Sequence, residues 1–263
     1  METMGVSSPI PSSIKIGMTI AMGVLDREAE GLVVTDSREA DEESMTLKDG
    51  VLKSIRVNKH CALAFSGDAV AANKIAAHIY RDSFAKARIA QAIHDGSRSV
   101  LEIIDGEKLE VAQPPDEIER SLYGLFSLFR GWVSQGKTEL PRVNVILVGR
   151  DSEFDRMWSW AWMYKLREDS WSGDPIETHC SVFGPGKPDG VCEKLKDPAI
   201  PLEERIHAVA EMYRAICPCG VNLDLKIRRA SKGFILEPLA ALSTNSSLAP
   251  DPSAWPFHAY ETT

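Results

Sequence analysis

Four residues at the ends of short apolar runs have the types that acyl-transfer chemistry needs: Thr19, Asp36, Lys53 and Gly67. A hydroxyl is a weak nucleophile until a base takes its proton, and one solution is a threonine whose own α-amine relays that proton. An α-amine titrates at about pH 8, the range a general base requires. A lysine beside the hydroxyl lowers the cost of the alkoxide, an aspartate keeps that lysine charged, and a strand-end N–H can receive the oxyanion. Taken singly, each residue has a plainer reading: a β-branched strand threonine, a solvated lysine, a turn glycine.

The elements between these residues decide whether they meet. TIAMGV (19–24) and GLVVTDS (31–37) are apolar runs joined by a polar turn, a pattern that predicts an antiparallel pair and returns Asp36 to Thr19. VLKSIRVN (51–58), a turn at Lys59 and His60, and CALAFSG (61–67) predict a second pair, with Lys53 early in its first strand and Gly67 closing its second. All four residues are then expected at one end of a sheet. The alanine-rich run 68–87 has apolar residues near the helical period and predicts the first long helix, packed on the sheet. His78 inside it has no second ligand at helical spacing and reads as a packed or surface residue.

At these residues the sequence resembles the proteasome-type N-terminal-nucleophile hydrolases, which include the proteasome β-subunit and the peptidase of the bacterial two-component protease. The match runs through T-I-A-M-G (19–23), V-V-T-D-S-R (33–38), V-L-K-S-I (51–55) and A-F-S-G-D-A (64–69). The resemblance implies an α+β fold, a four-layer αββα sandwich of two antiparallel sheets. It implies Thr19 as nucleophile, Asp36 and Lys53 as its charged partners, Gly67 as oxyanion donor, and Arg38 as the arginine of the D-S-R motif. It lines a specificity pocket with Glu39, Val51, Phe65 and Ala69, where Phe65 shortens the pocket and Glu39 favours a basic side chain. The implied activity is that of a threonine-type peptidase, acting on peptides or unfolded proteins from within a homo-oligomeric ring. An ATP-driven partner is left open. Two other readings stay open beside it: a non-catalytic subunit of the same fold with an assembly or binding role, and a small-amide hydrolase.

The chain departs from the family at three places. Met18 precedes Thr19, so either translation starts at Met18 and its removal exposes Thr19, or the leader 1–17 persists and Thr19 has no free amine. Pro185 stands in Gly184-Pro185-Gly186 where the family carries a Gly-Ser-Gly, and proline offers neither hydroxyl nor N–H. Cys217-Pro218-Cys219 stands where many β-subunits have an aspartate and a serine that assist the threonine.

The remaining chain supplies the rest of the domain. Residues 88–116 read as an irregular insertion broken by glycines and a Pro-Pro stop, able to cover the site's mouth or serve a subunit contact but more simply a surface loop with a short hairpin or helix. DEIERSLYGLFSLFRGWVSQG (116–136) predicts a second helix with Leu122, Leu125, Phe126, Phe129 and Trp132 on one face. RVNVILVGRD (142–151) reads as a buried strand, and RMWSWAWMYKL (156–166) sets Trp158, Trp160 and Trp162 on one face of another. The resemblance makes these two the hairpin that begins the second sheet. The stretch around Gly184 reads as strand, turn and helix, residues 201–216 as a helix opened by proline and acids, and VNLDLKIRR (221–229) as a strand.

Composition fits one globular domain, expected over 18–239 and flanked by a Ser/Pro/Ala-rich tail at 240–263. The chain has 263 residues, 44% hydrophobic and 26% charged, with a net charge of −8. No basic cluster suggests a nucleic-acid partner, no apolar run approaches a membrane span, and the first residues lack the pattern of a secretory signal. The five cysteines include no C-x-x-C pair, so free thiols in a reducing cytoplasm are expected, with no metal site. Gly184 to Lys187 is no phosphate loop, and no cofactor is called for.

Overall fold

The computed structural model describes residues 19–26, 30–41, 46–81, 83–95, 99–134, 143–151, 156–165, 170–176, 180–186, 188–218 and 220–231. The leader 1–17 and the tail 240–263 expected from the sequence lie outside them.

Two antiparallel sheets carry the described fold. β1 (Ala21–Asp26) and β2 (Glu30–Thr35) form the predicted hairpin, in register from Ala21↔Thr35 to Asp26↔Glu30. β10 (Cys180–Phe183) and β11 (Lys226–Ser231) flank it, giving the order β10-β1-β2-β11. The second hairpin, β5 (Ser54–Asn58) and β6 (Cys61–Gly67), opens the other sheet. That sheet continues through β7 (Val143–Asp151), β8 (Arg156–Lys165) and β9 (Ser170–Ile176), in the order β5-β6-β7-β8-β9. β3 (Glu39–Asp41) and β4 (Thr46–Lys48) make a separate ribbon between the two hairpins.

The two-residue period of the strands divides the core. On β6, Cys61, Leu63 and Phe65 point to one side, where they pack with α1 (Ala69–Ile79), α2 (Lys86–Asp95), α3 (Val100–Gly106) and α4 (Pro115–Ser134). Ala62 and Ala64 point to the other side and join Ala21, Val33, Ile146, Val148 and Ala230 from both sheets. Ile20, Met22, Val24, Leu32 and Val34 face a third cluster, built with α5 (Val191–Lys196) and α6 (Leu202–Ile216). Alanines at four of the seven positions in the cluster shared by the sheets let two pleated surfaces approach closely.

Several local expectations need correction. The first helix ends at Ile79, because Tyr80 leaves helical geometry as its C-cap (φ −95°, ψ 12°); its ring is buried, with the hydroxyl in reach of the carbonyls of Arg56, Val57 and Leu109. Asp68 caps the start of that helix, accepting from the N–H groups of Val70 and Ala71 at 2.8 and 3.0 Å. The span 88–116 is not irregular: it holds most of α2 and all of α3, whose Ile89, Ala92, Leu101, Ile103 and Ile104 are buried. Its last part runs beside β5, where the Val111 N–H donates to Val57 O at 3.0 Å. The β7/β8 hairpin extends the sheet of β5 and β6, with Cys61↔Gly149 through Gly67↔Val143 in register, and begins no sheet of its own. The final strand starts at Lys226 and not at Val221.

In α4, Leu122 and Leu125 are buried as expected, while the side chains of Phe126, Phe129 and Trp132 lie outside the described ones. The same holds for Trp158, Trp160 and Trp162 of β8. Among the described residues no helix is long and apolar enough to cross a membrane.

Candidate active site

Thr19 stands just before β1 and Asp36 just after β2, and the hairpin sets them side by side. The Ile20 N–H donates to Asp36 Oδ1 at 3.1 Å, and the Asp36 N–H donates to Ile20 O at 3.4 Å. From the other sheet, Ser66 near the end of β6 donates its hydroxyl to the Thr19 carbonyl at 3.3 Å. Lys53 lies one residue before β5 and is tied to β6 through the Phe65 N–H, which donates to Lys53 O at 2.9 Å. The two hairpins, in two different sheets, therefore bring the residues together, rather than one end of a single sheet.

The centre of the site is the Lys53 ammonium. Its Nζ donates to Thr19 Oγ1 at 2.7 Å, to Asp36 Oδ1 at 3.2 Å and to the Arg38 carbonyl. Three acceptors match the three protons of a lysine. The site is buried: the side chain of Asp36 is 0% exposed and that of Lys53 10%. Burial pushes the Lys53 amine below the ordinary lysine range, opposed by the charge and hydrogen bond of Asp36. Burial likewise pushes the Asp36 carboxyl up, opposed by Lys53 and by the N–H groups of Arg38 and Ile20. A charged amine held 2.7 Å from a hydroxyl oxygen stabilises that oxygen as it loses its proton, and the low local dielectric magnifies the effect.

Gly67 closes β6 with φ of +106°, a conformation that side-chain-bearing residues rarely adopt. It directly follows Ser66 and so lies one peptide from a group that touches Thr19. The Arg38 carbonyl serves Lys53, while its guanidinium forms a two-pronged pair with Asp49, Nε to Oδ1 at 2.7 Å and Nη2 to Oδ2 at 2.9 Å.

The four residues expected to line a pocket lie in different surroundings. Val51 is half-buried and donates its N–H to Ser37 O at 2.9 Å. Glu39 is half-buried at the start of β3, and its charge helps hold the Lys53 proton. Phe65 is buried, in the cluster beneath α1 to α4, and Ala69 is exposed at the start of α1. β10 pairs with β1 through Ala21↔Phe183, which carries the Gly184-Pro185-Gly186 turn toward the Thr19 end.

Sequence reasoning overlooked a polar group around the 36–38 turn. Ser37 donates its hydroxyl to Asp224 Oδ2 at 2.7 Å and its N–H to Asn222 Oδ1 at 3.2 Å. The Asn222 amide nitrogen donates to Ser37 Oγ at 3.1 Å and to Asp49 Oδ1 at 2.9 Å. These bonds hold Asp224 below the usual carboxylate range, Ser37 first and then Lys226, and hold Asp49 low through Arg38 and Asn222. One signal was available: Asn222 and Asp224 alternate with Val221, Leu223 and Leu225, a polar face at strand period in a stretch read only as a strand. Among the described residues no group of three or more His, Cys, Asp or Glu side chains is placed to hold a metal ion. Cys217 ends α6, and Cys219 lies outside the described residues.

No family model matches this sequence, and no curated protein matches it. Among solved structures the chain is similar to the crystal structure of eukaryotic HslV from Trypanosoma brucei, with 11% identity over 81% of this chain and 99% of that chain and a TM-score of 0.49.

Proposed function

We propose that the chain is a proteasome-type amide hydrolase that cleaves peptide bonds with Thr19 as an N-terminal nucleophile. The observation that carries this is the 2.7 Å contact from Lys53 Nζ to Thr19 Oγ1, in a buried site where Asp36 anchors the lysine. A lysine of ordinary strand-surface use would not take a threonine hydroxyl, a buried carboxylate and a main-chain carbonyl as its three acceptors.

In the proposed reaction, Thr19 Oγ attacks the substrate carbonyl carbon and its proton passes to the Thr19 α-amine. Lys53 stabilises the oxygen as it loses that proton, and the Gly67 N–H receives the oxyanion. Collapse breaks the C–N bond, and the departing amine takes the proton back from the α-amine, leaving an ester on Thr19. Water activated by the same amine then attacks the ester and restores the hydroxyl. Arg38 supports the site through its carbonyl. The resemblance assigns Glu39, Val51, Phe65 and Ala69 to the side-chain pocket of the substrate; half-buried Glu39 and Val51 and exposed Ala69 suit such a wall, whereas Phe65 lies in the core beneath α1 to α4.

The three clusters, one between the sheets and one on each outer side, support a four-layer αββα arrangement, and the domain bounds 18–239 are proposed from the sequence. Assembly into a homo-oligomeric ring in the cytoplasm is the part of this reading that the sequence resemblance implies, and Cys61, Cys180, Cys192 and Cys217 as thiols suit that reducing compartment. A specific observation favours a second reading, a non-catalytic subunit: Pro185 provides no hydroxyl in the turn that approaches the Thr19 end of β1.

The deciding experiment is the N-terminal sequence and intact mass of protein from the native host, followed by a peptide electrophile that esterifies or carbamylates N-terminal threonines. A chain that begins at Thr19 and takes up one label, lost in Thr19→Ala, is the expected result. A chain that retains Met18 overturns the mechanism and leaves the non-catalytic reading.

A further inference from the structure

We infer that Asn222 is a positioning residue, the clamp that holds the 36–38 turn so that the Arg38 carbonyl and Asp36 stay on Lys53. Neither its role nor its partners follow from the residues assigned to chemistry above.

The turn must do two things at once. Asp36 Oδ1 and the Arg38 carbonyl face inward and take two of the three Lys53 protons. Between them buried Ser37 turns away from Lys53, and its three polar groups go elsewhere: N–H to Asn222, hydroxyl to Asp224, carbonyl to the Val51 N–H. The chain just after the turn is fastened by the Arg38–Asp49 pair. Asn222 is the group that joins these fastenings. Its Oδ1 accepts from the Ser37 N–H, and its Nδ2 donates both to Ser37 Oγ and to Asp49 Oδ1. The Ser37 N–H can only donate, so it fixes which end of the amide is oxygen, and that in turn directs the NH₂ toward Ser37 Oγ and the Asp49 carboxylate. All the hydrogen-bonding protons of one rigid planar group are used, at a separation of 185 residues from the turn.

Removing the amide frees the turn to drift outward. Lys53 then loses part of its main-chain acceptor, and a group with fewer acceptors for its charged form gives up its proton more readily. The groups facing Lys53 from every packed element are Asp36, Glu39, Asp49, the Arg38 carbonyl and Thr19 Oγ1. None of these changes charge when Asn222 is replaced by a neutral residue, so a shift in the lysine reports position and not a deleted charge.

The test uses the full chain with ¹³Cε-labelled lysine, and Lys53→Arg identifies the Lys53 resonance. In Asn222→Ala, Lys53 is expected to titrate about half a unit or more lower than in the parent. Asn222→Leu, which keeps the side-chain volume, guards against a cavity effect and is expected to shift the same way. Where the parent reacts with a threonine-directed electrophile, the acylation rate should fall about tenfold or more at unchanged electrophile affinity, and the basic limb of its pH profile should move down with the lysine. An unaltered Lys53 titration in both variants, with melting temperatures near the parent's, overturns the clamp whatever the activity. The kinetic consequence rests on the Thr19 reading, whereas the titration does not: a parent inert to the electrophile overturns that reading and leaves the clamp to be decided by the lysine.

Discussion

Lys53 and Asp36 are a buried charge pair whose members depend on each other. With Asp36 at 0% side-chain exposure, its carboxylate relies on Lys53 and on two backbone N–H groups for the solvation that water would otherwise give. Lys53→Met leaves that carboxylate buried with no cation, and denaturant unfolding at neutral pH should show a loss of about 3–5 kcal/mol. The loss should shrink as pH falls. The orphaned Asp36 has a folded pKa above its unfolded value, so the folded state takes up a proton that the unfolded chain does not, and stability returns toward acid. A loss below about 1 kcal/mol would mean that the pair is solvated and that the buried-site account is wrong. At this scale the meeting of Thr19, Asp36 and Lys53 was legible because each lies at the end of a strand whose apolar period is plain. Ser37, Asn222 and Asp224 were not: their contacts span 185 to 187 residues, and no local pattern reports a partner that far away.

The elements show where a periodic pattern stops being informative. The apolar run of CALAFSG announced a strand, and β6 is one, buried on both faces, but such a run does not say which sheet the next hairpin joins. β7 pairs with β6, and its Val145, Ile146, Leu147 and Val148 are buried on both faces, between the helix layer on one side and the other sheet on the other. α2 and α3 were hidden inside 88–116 because each is short and separated by glycine-bearing breaks, and their apolar residues become a stripe only once β5 and α1 are in place. The turn after β10 is a tighter constraint than its sequence suggested. A Cβ on Gly184 would lie 2.4 Å from Cε1 and 2.6 Å from Cδ1 of Tyr213, a ring of α6 that is itself buried. Gly184→Ala should therefore push α6 from β10 and lower stability by roughly 1–3 kcal/mol. Trimming the ring in the same chain, Gly184→Ala with Tyr213→Leu, should cost less than the two changes summed; strict additivity in thermal unfolding would show that the two residues do not touch.

For the molecule as a whole, buried neutral acids set a limit on the alkaline side. Burial, with Cys192 beside it, pushes the Cys180 thiol from 9.0 up to about 12. Burial also pushes the Tyr80 and Tyr213 hydroxyls up. In each case the folded pKa exceeds the unfolded one, so the stability these groups contribute is complete below about pH 9 and is lost as pH climbs through the folded values. Unfolding midpoints should hold steady to about pH 8 and fall above about pH 9, and Cys180 should resist alkylation in the native state while reacting after denaturation. Prompt native alkylation at pH 8 would contradict the burial that underlies both expectations.

β5 is the outermost strand of its sheet, and an outermost strand normally presents a ladder of idle N–H and C=O groups that any extended chain can join. Here the segment after α3 has taken one of those places: Val111 occupies the Val57 carbonyl, and the Asn58 side chain reaches over to hold the carbonyls of Val111 and Gln113 at 3.1 and 3.0 Å. The stretch that read as an insertion thus blunts that edge, occupying on its own chain a place where a neighbouring copy could otherwise add a strand.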